Sequence, residues 1–215
     1  MGYSVYEVNT NTTSATEKAE VTTVSFLYDR EGKRKYLTIA ERRAFLIAAR
    51  KVAPEVQTFC SMLSYTGARI SEVLALTATS IDPEARLVVF ESLKKRRRGA
   101  FRAVPIPRSL ISELERVHRI SRDDSGRPKE RLWPWSRTTA WKRVRECMAL
   151  ANIFGPQATP KGLRHAFGVA SLQAGVPINL VRKWLGHARL STTEIYGDAV
   201  GDEEQEIASK FWAAF

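Results

Sequence analysis

The sequence predicts a mainly α-helical protein with a small antiparallel β-sheet, an α+β fold class. Apolar residues recur at the spacing of amphipathic helices over most of the chain from residue 37 onward. Two short stretches, residues 87–90 and 101–106, are instead rich in the β-branched and aromatic residues that favour strands. A hydrophobic content of 44% is enough for a buried core. The sequence therefore indicates helices packed in one compact domain with one small sheet.

The first helices are placed by their end signals. Thr38 and Glu41 have the spacing of a capping box, so a helix is predicted to begin at Thr38. Pro54 is predicted to begin a second helix and Gly67 to end it, because proline is favoured in the first helical turn and glycine just past the last. Helical periodicity resumes from Ile70.

The middle of the chain is predicted to form the sheet. Residues 87–90 and 101–106 are predicted to be two strands, joined by a basic turn at residues 94–99. Ser109 is predicted to cap the helix that follows, which ends near Ile120.

After a polar loop at residues 121–129 the pattern is again helical. A helix is predicted from about Thr138 to Leu150, with one apolar face that carries Trp141, Val144 and Met148. Core or loop packing, and not base stacking, is expected for Trp133, Trp135 and Trp141. The later predicted helices cover residues 162–174, 177–185, 191–196 and 202–215.

Three parts of the chain are distinguished by composition. Residues 1–36 are mostly polar and are expected to form a flexible N-terminal tail and a basic connector. Residues 37–201 are expected to form the folded domain, and residues 202–215 a C-terminal helix with an apolar stripe. Cys60 and Cys147 lie in apolar, helix-like stretches without metal-ligand spacing, so both are expected to be reduced core thiols.

Charge is the most informative feature of the composition. The formal net charge of +11 and the pI near 9.9 favour a polyanion partner, usually nucleic acid, over a merely basic surface. No apolar run is long enough for a transmembrane helix, so no membrane partner is expected. The polar N-terminus lacks the order of a signal peptide, which together with the reduced thiols indicates a cytoplasmic protein.

The stretch before the C-terminal helix gathers groups that can act on a phosphodiester. Lys161 and Arg164 are cations suited to phosphate, His165 and His187 are imidazoles, and Tyr196 is a phenol. A phenol among basic groups can lose its proton and attack phosphorus, which makes Tyr196 the candidate nucleophile.

Two other elements complete the set. Arg69 follows Gly67 at a helix start, where backbone N–H groups favour an anion, and Glu72 is placed to orient its guanidinium. The basic turn lies between two strands, so a lysine at its tip is a candidate general acid. No acidic cluster suited to two Mg²⁺ ions is evident, so a covalent route with no metal and no cofactor is expected.

Four segments carry a resemblance to a known family: TGARISEVLAL (66–76), LVVFESLKKRRRGAFRAVPIP (87–107), TPKGLRHAFG (159–168) and LVRKWLGHARLSTTEIY (180–196). In this order and spacing they resemble the catalytic domain of tyrosine recombinases of the phage-integrase type. The resemblance implies a site-specific recombinase that cleaves and rejoins duplex DNA through a covalent 3′-phosphotyrosine intermediate. The outcome would be integration, excision, inversion or resolution.

By position, the resemblance implies catalytic roles for Arg69, Lys94, Lys161, Arg164, His187 and Tyr196. Arg69 and Arg164 would clamp the scissile phosphate, and His187 would hydrogen-bond to it. Lys94, or Lys95 in its place, would protonate the leaving 5′ oxygen. The residues expected to contact DNA are Lys95, Arg96, Arg97, Arg98, Arg102, His165, Arg182 and Lys183.

The chain departs from the family pattern in two ways. Lys161 stands where most members have histidine, which keeps a cation there but removes an imidazole. Only residues 1–36 precede the domain, where most members have a helical core-binding domain, and this resembles the minimal form of the family.

The expected partners are duplex DNA and further copies of the chain, because strand exchange between paired DNA sites needs a homo-oligomer. An accessory DNA-bending protein and docking of residues 202–215 on a neighbouring protomer are options that the resemblance suggests. Two alternatives stay open. Residues 166–187 also fit the helix-turn-helix of a non-catalytic DNA-binding regulator. A type IB topoisomerase would use the same phosphotyrosine chemistry.

Overall fold

The computed structural model describes residues 27–91, 99–121, 130–197 and Trp212. Within these ranges the helices are α1 (Ile39–Ala49), α2 (Pro54–Thr66), α3 (Ile70–Val73), α4 (Arg108–His118), α5 (Arg137–Leu150), α6 (Pro160–Gln173), α7 (Ile178–Leu185) and α8 (Ser191–Glu194). The strands are β1 (Ile81–Asp82), β2 (Leu87–Glu91) and β3 (Phe101–Pro105). The predicted fold class, mainly helical with a small antiparallel sheet, is confirmed.

The sheet has three antiparallel strands in the order β1–β2–β3. Val88 of β2 pairs with Val104 of β3, and both are buried, whereas Val89 on the other face is 37% exposed. This alternation is the period of a sheet with one face on the core. Both predicted strands are confirmed. β1 was not predicted, because a segment of two residues is too short to show a period.

The predicted starts and stops of the first two helices are confirmed. Thr38 caps α1 through a complete capping box, in which its hydroxyl accepts from the Glu41 N–H at 3.2 Å and its own N–H donates to the Glu41 carboxylate at 2.7 Å. Gly67 ends α2 in the left-handed conformation, with φ +59°. A Cβ atom on Gly67 would lie 2.6 Å from the ring of Phe167 in α6. Glycine is therefore required both by the turn and by the close approach of α6.

The predicted cap of α4 is wrong. The helix begins at Arg108, with Pro107 and not Ser109 as its N-cap. The carbonyl of Pro107 accepts from the N–H of Leu110 at 3.0 Å, and its φ of −70° is the value that the proline ring fixes. Pro107 is therefore the N-cap, and Ser109 lies inside the first turn of the helix.

The predicted apolar face of α5 is only partly right. Val144 and Met148 are buried, but Trp141 is 44% exposed. The buried face is completed by Ala140 and Cys147, which lie one turn before and about one turn after Val144. Trp141 therefore lies outside the core, although the expected core packing holds for Trp133, which is fully buried.

Helix α2 is the centre of the core and packs against α1, α4, α5 and α6. Its residues Phe59, Met62 and Leu63 are almost fully buried. The ring of Phe59 meets the ring of Trp133 edge to face, with centroids 5.4 Å apart. The indole N–H of Trp133 donates to the carbonyl of Glu55 at 2.9 Å, which satisfies its buried polar atom. Because Arg69 follows α2 directly, the rigidity of this helix fixes the position of that arginine.

The two cysteines are both buried and free, as expected for core thiols. Cys60 of α2 and Cys147 of α5 face each other, with their sulfur atoms 3.8 Å apart. They behave as small apolar side chains in the contact between the two helices.

Parts of the sequence-based account lie outside the described residues. These are most of the N-terminal tail, the basic turn at residues 94–99 apart from Gly99, the loop at residues 121–129 apart from Ser121, and the C-terminal helix apart from Trp212. Among the helices that are described, none has the length and apolar character needed to cross a membrane.

Candidate active site

A cleft of about 640 Å³ opens between α3, α5 and α6 and the segment that follows α7. It is lined by six of the residues singled out from the sequence: Arg69, Lys161, Arg164, His165, His187 and Tyr196. Lys94, Lys95, Arg96, Arg97 and Arg98 lie outside the described residues. The strand that follows their turn, β3, packs against α7.

Arg69 is the N-cap residue of α3 and is oriented by Glu72. Its backbone N–H donates to Glu72 Oε2 at 2.8 Å and its Nη1 donates to Oε1 at 2.9 Å. The Glu72 side chain is 5% exposed and the Arg69 side chain 40% exposed. The expected contact between them is confirmed. The arrangement fixes one edge of the guanidinium and leaves the arginine accessible from the cleft.

Glu72 is also held by Arg102 of β3. Arg102 Nη2 donates to Glu72 Oε2 at 2.7 Å, and the Arg102 side chain is only 9% exposed. Burial by itself raises the pKa of the Glu72 carboxyl, but the charges and hydrogen bonds of Arg102 and Arg69 bring the pKa below its ordinary value. Glu72 is therefore an ionised carboxylate between two guanidinium groups.

Arg102 was expected to contact DNA, and in the structure its side chain contacts other parts of the protein. Its Nε donates to the carbonyl of Trp184 at 2.8 Å, and its guanidinium lies 4.7 Å above the ring of Phe90. These contacts and the ion pair with Glu72 turn the side chain into the protein, because a buried carboxylate and an open helix carbonyl both attract it.

Arg164 of α6 donates hydrogen bonds to two backbone carbonyls. Its Nη1 donates to Gly67 at 2.8 Å and its Nη2 to Leu185 at 2.7 Å. Burial, and then the charge of Arg69, lower the pKa of Arg164 to about 10, so the guanidinium remains protonated at neutral pH. The two bonds fix its plane next to Arg69, and the cleft gains a second fixed cation.

The end of α7 sets the position of His187. Its last carbonyls lack helical partners, and those of Trp184 and Leu185 accept from Arg102 and Arg164 instead. Gly186 then turns the chain in the left-handed conformation, with φ +67°, and Arg102 packs against it so closely that a Cβ would lie 3.2 Å from the guanidinium. Two arginines therefore fix the backbone just before His187.

His187 is held by Thr193 of α8, which the sequence reasoning missed. The Nδ1 of His187 lies 2.9 Å from the hydroxyl of Thr193. Burial, and then the charges of Arg164 and Arg69, lower the pKa of His187 to about 3, so the ring is neutral at neutral pH. If the Thr193 hydroxyl donates to Nδ1, the ring proton lies on Nε2, where it can be donated to a phosphate. A hydroxyl six residues after the histidine was the available sequence signal.

Tyr196 lines the same cleft as the two arginines. It is 1% exposed, and its ring packs on Gly168, where a Cβ would lie 2.6 Å from the ring. The His187 ring stacks on it with an interplanar angle of 20° and a centroid distance of 6.0 Å. Burial raises the pKa of the Tyr196 phenol, although Arg164 and Arg69 act in the opposite direction.

His165 was also expected to contact DNA, and in the structure it is a buried residue of the cleft wall. The residue is 3% exposed, and its Nδ1 lies 3.3 Å from the hydroxyl of Tyr196. The side chain points inward because this part of α6 is buried on nearly all sides, from Gly162 to Val169. Burial, followed by the charges of Lys161, Arg164 and Lys35, lowers the pKa of His165 to about 3.

Helices α6 and α7 carry further basic residues that are exposed. Lys161 lies exposed in the first turn of α6, and Arg182 and Lys183 lie exposed in the last turn of α7. Arg137 and Trp141 of α5 also line the cleft, and neither was singled out for a site from the sequence. Their spacing of four residues, one turn of helix, was the signal that was available.

No group of three or more His, Cys, Asp or Glu side chains suited to a metal ion occurs among the residues that the structure describes. The cleft is lined by two fixed guanidinium groups, two neutral imidazoles and a phenol. This set can bind an anion with tetrahedral oxygens and place a hydroxyl next to it.

Comparison with known proteins agrees with this geometry. Residues 35–201 match the model of the phage integrase family. The tyrosine recombinase XerA of Pyrococcus furiosus is 34% identical over 143 residues, which is 63% of this chain and 47% of that protein. The tyrosine recombinase XerD of Pseudomonas aeruginosa is 34% identical over 167 residues, 70% of this chain and 54% of that protein. The chain thus spans about half the length of the curated relatives that it matches.

Solved structures show the same fold. A crystal structure of XerA recombinase superposes with a TM-score of 0.68 at 25% identity, over 82% of this chain and 64% of that one. XerH recombinase bound to a palindromic difH substrate, a post-cleavage complex, superposes with a TM-score of 0.69 at 19% identity, over 92% of this chain and 66% of that one. The described residues thus have the fold of tyrosine recombinase catalytic domains, and the chain belongs to the phage integrase family.

Proposed function

We propose that the protein is a site-specific DNA recombinase that cleaves and rejoins duplex DNA through a covalent bond between Tyr196 and a 3′-phosphate. The observation that carries the proposal is the convergence of Arg69, Arg164 and His187 with the Tyr196 phenol in one cleft. The names of its relatives, tyrosine recombinases, support it. The net charge of +11 supports duplex DNA as the partner.

The two guanidinium groups bind the scissile phosphate in this proposal. Negative charge grows on the non-bridging oxygens as phosphorus becomes five-coordinate, and fixed cations stabilise that charge without reorganising. Arg69 is held by Glu72, and Arg164 by two backbone carbonyls, so both are fixed before DNA binds. His187 adds a neutral donor, and Lys161 supplies a further cation at the rim in place of the usual histidine.

In the cleavage step the Tyr196 oxygen loses its proton and bonds to phosphorus, and the bond from phosphorus to the 5′ oxygen breaks. The leaving oxygen gains a proton, for which Lys94 is the proposed donor and Lys95 the fallback. The energy of the broken ester is kept in the tyrosyl phosphate. A 5′-hydroxyl of a partner duplex can therefore attack it and reseal the strand without an added cofactor.

Strand exchange between two duplexes requires several protomers, so we propose a homo-oligomer on paired DNA sites, with an accessory DNA-bending protein where the sites need bending. Residues 202–215 carry an apolar stripe and are proposed to dock on the neighbouring protomer. Exposed Arg182 and Lys183 are proposed to bind DNA phosphates, as are Lys95 to Arg98 of the basic turn. A DNA substrate implies a cytoplasmic, nucleoid-associated protein.

The test is a DNA reaction that separates recombinase, topoisomerase and regulator. Duplexes bound by the protein are first selected from a random library, and the selected site is cloned into a supercoiled plasmid in one and in two copies. A recombinase exchanges strands between the two copies of the site. A plasmid that lacks the site stays supercoiled. Relaxation of any plasmid would indicate a topoisomerase. Binding of the site without breakage of any strand would contradict the proposal.

A further inference from the structure

His165 lies within hydrogen-bonding distance of Tyr196, the candidate nucleophile, and has no role in the reaction as proposed above. His165 Nδ1 lies 3.3 Å from Tyr196 Oη, and the two ring centroids are 5.8 Å apart at an angle of 55°. Both side chains are buried and both line the cleft. An imidazole nitrogen at this distance can either take the phenol proton or orient the hydroxyl.

We propose that His165 accepts the proton of Tyr196 as the tyrosine attacks the phosphate, an inference that rests on the proposed function. The proton moves from Tyr196 Oη to His165 Nδ1 while the Oη–P bond forms and the bond from phosphorus to the 5′ oxygen breaks. The leaving oxygen takes its proton from a separate acid. When the strand is rejoined, His165 returns the proton to Tyr196. The step requires the other ring proton to lie on Nε2 beforehand.

The charged and titratable groups around the phenol leave this role to His165. Lys35, Lys161 and Arg164 face the histidine as cations, and a cation of this kind has no lone pair with which to accept a proton. His187 stacks on the Tyr196 ring, but its Nδ1 bonds to Thr193 and the ring is placed for the phosphate. The carboxylate of Glu72 lies between Arg69 and Arg102.

The substrate itself is needed to activate this pair. In the protein alone, burial and three cations keep the His165 pKa at about 3, and burial raises the pKa of Tyr196, so the proton stays on the phenol. A phosphodiester beside Lys161 and Arg164 brings negative charge to the cations that face His165. Its charge raises the proton affinity of the imidazole. The nucleophile is thus activated when DNA occupies the cleft.

The test uses His165→Asn, whose amide oxygen lies near the position of Nδ1 and accepts a hydrogen bond without taking a proton. His118→Gln is the matched control, because His118 is a half-buried histidine of α4 that bonds to Thr58 through Nε2, remote from the cleft. The readout is the single-turnover rate of covalent adduct formation on a nicked substrate with the selected site, measured between about pH 6 and about pH 9.

General-base assistance is worth about 10²–10⁴-fold, so His165→Asn should slow adduct formation at least about a hundredfold at neutral pH. Its rate should keep rising with pH where the wild-type rate levels off. Replacing Tyr196 by a ring-fluorinated tyrosine, whose phenol ionises near neutral pH, should restore most of the rate of His165→Asn. His118→Gln should follow the wild-type profile.

Three results with His165→Asn would overturn the inference: a wild-type rate and pH profile, an effect equal to that of His118→Gln, or failure of the fluorinated phenol to restore the rate. The last would mean that His165 only positions Tyr196. Should His165→Asn unfold, His165→Gln is measured instead. With His165 intact, the fluorinated phenol should remove the acidic limb of the profile, and an unchanged profile also overturns the inference. If the wild type forms no adduct at all, the proposed function fails instead.

Discussion

Glu72 and Arg102 form a buried ion pair, with Glu72 Oε2 and Arg102 Nη2 2.7 Å apart and both side chains at least nine-tenths buried. The pair joins β3 to α3 and, through the Arg102 bond to Trp184, to the end of α7. It therefore fixes Arg69 on one side of the cleft and the backbone before His187 on the other. Arg102 is a positioning residue, since it acts on the phosphate site through Glu72 and α7.

Removing one partner of this pair should be costly. Arg102→Met leaves the Glu72 carboxylate buried with less compensation, so the free energy of unfolding should fall by about 3–5 kcal/mol. Adding Glu72→Gln to Arg102→Met should recover part of the loss, because no unpaired charge then remains. Denaturant titration measures both. Arg182→Met, on the exposed face of α7, is the control and should change stability by less than about 0.5 kcal/mol. An equally small effect of Arg102→Met would contradict the positioning role.

Arg69 should matter more for the transition state than for DNA affinity. Arg69→Ala should slow adduct formation by about 10²–10³-fold, the loss of about 2.7–4 kcal/mol that removal of one such donor causes. Binding should weaken far less, because many other cations contact DNA. Arg182→Ala should show the reverse pattern, with lower affinity and a weaker salt dependence but an unchanged rate at saturating DNA. Equal losses of binding and rate in Arg69→Ala would point to ordinary phosphate positioning.

Gly168 should be required for the placement of the nucleophile. A Cβ in Gly168→Ala would lie 2.6 Å from the Tyr196 ring, so the ring must shift away from His165 and from the phosphate site. Adduct formation should fall at least tenfold, and overpacking should cost about 1–3 kcal/mol of stability. Gly197→Ala is the control, because a Cβ there meets nothing within 4 Å. If the two alanine variants cleave at the same rate, the packing of Gly168 does not set the position of Tyr196.

Stability should fall as the pH drops below about 6.5. The pKa of both His165 and His187 is lowered to about 3 in the folded protein from an ordinary value of 6.5, so between these values the unfolded chain binds more protons. Each histidine should remove about 1.4 kcal/mol per pH unit in this window, and none above it. Denaturant titrations between pH 7 and pH 5 test this before the carboxyl groups titrate. His165→Asn should show a smaller slope, and a flat wild-type profile would contradict the burial of neutral histidines.

The sequence was most informative where local chemistry decides the structure. The capping box of Thr38 and Glu41 and the stop at Gly67 follow from hydrogen bonds and backbone angles within a few residues, and both are present in the structure. The predicted cleft residues Arg69, Arg164, His187 and Tyr196 also come together as their motifs implied. Each motif combines residue types in a fixed order along the chain, so the set predicts which residues meet in the folded protein.

The sequence was least informative about which polar groups face inward. Arg102 and His165 were expected to contact DNA, but their partners in the structure, Glu72 and Tyr196, lie about thirty residues away in the chain and meet them only in the fold. The prediction that Trp141 lies on the buried face of α5 was wrong for a related reason. Helical period alone does not show where an apolar face ends and a cleft begins.

Tyr196 is proposed to be the residue that becomes linked to DNA. The direct measurement is mass spectrometry of the peptide that remains attached to DNA after reaction on a nicked substrate with the selected site, followed by proteolysis. We expect a nucleotide adduct on the peptide that contains Tyr196, with normal DNA binding but no adduct in Tyr196→Phe. An adduct on another residue, or one that persists in Tyr196→Phe, would contradict it.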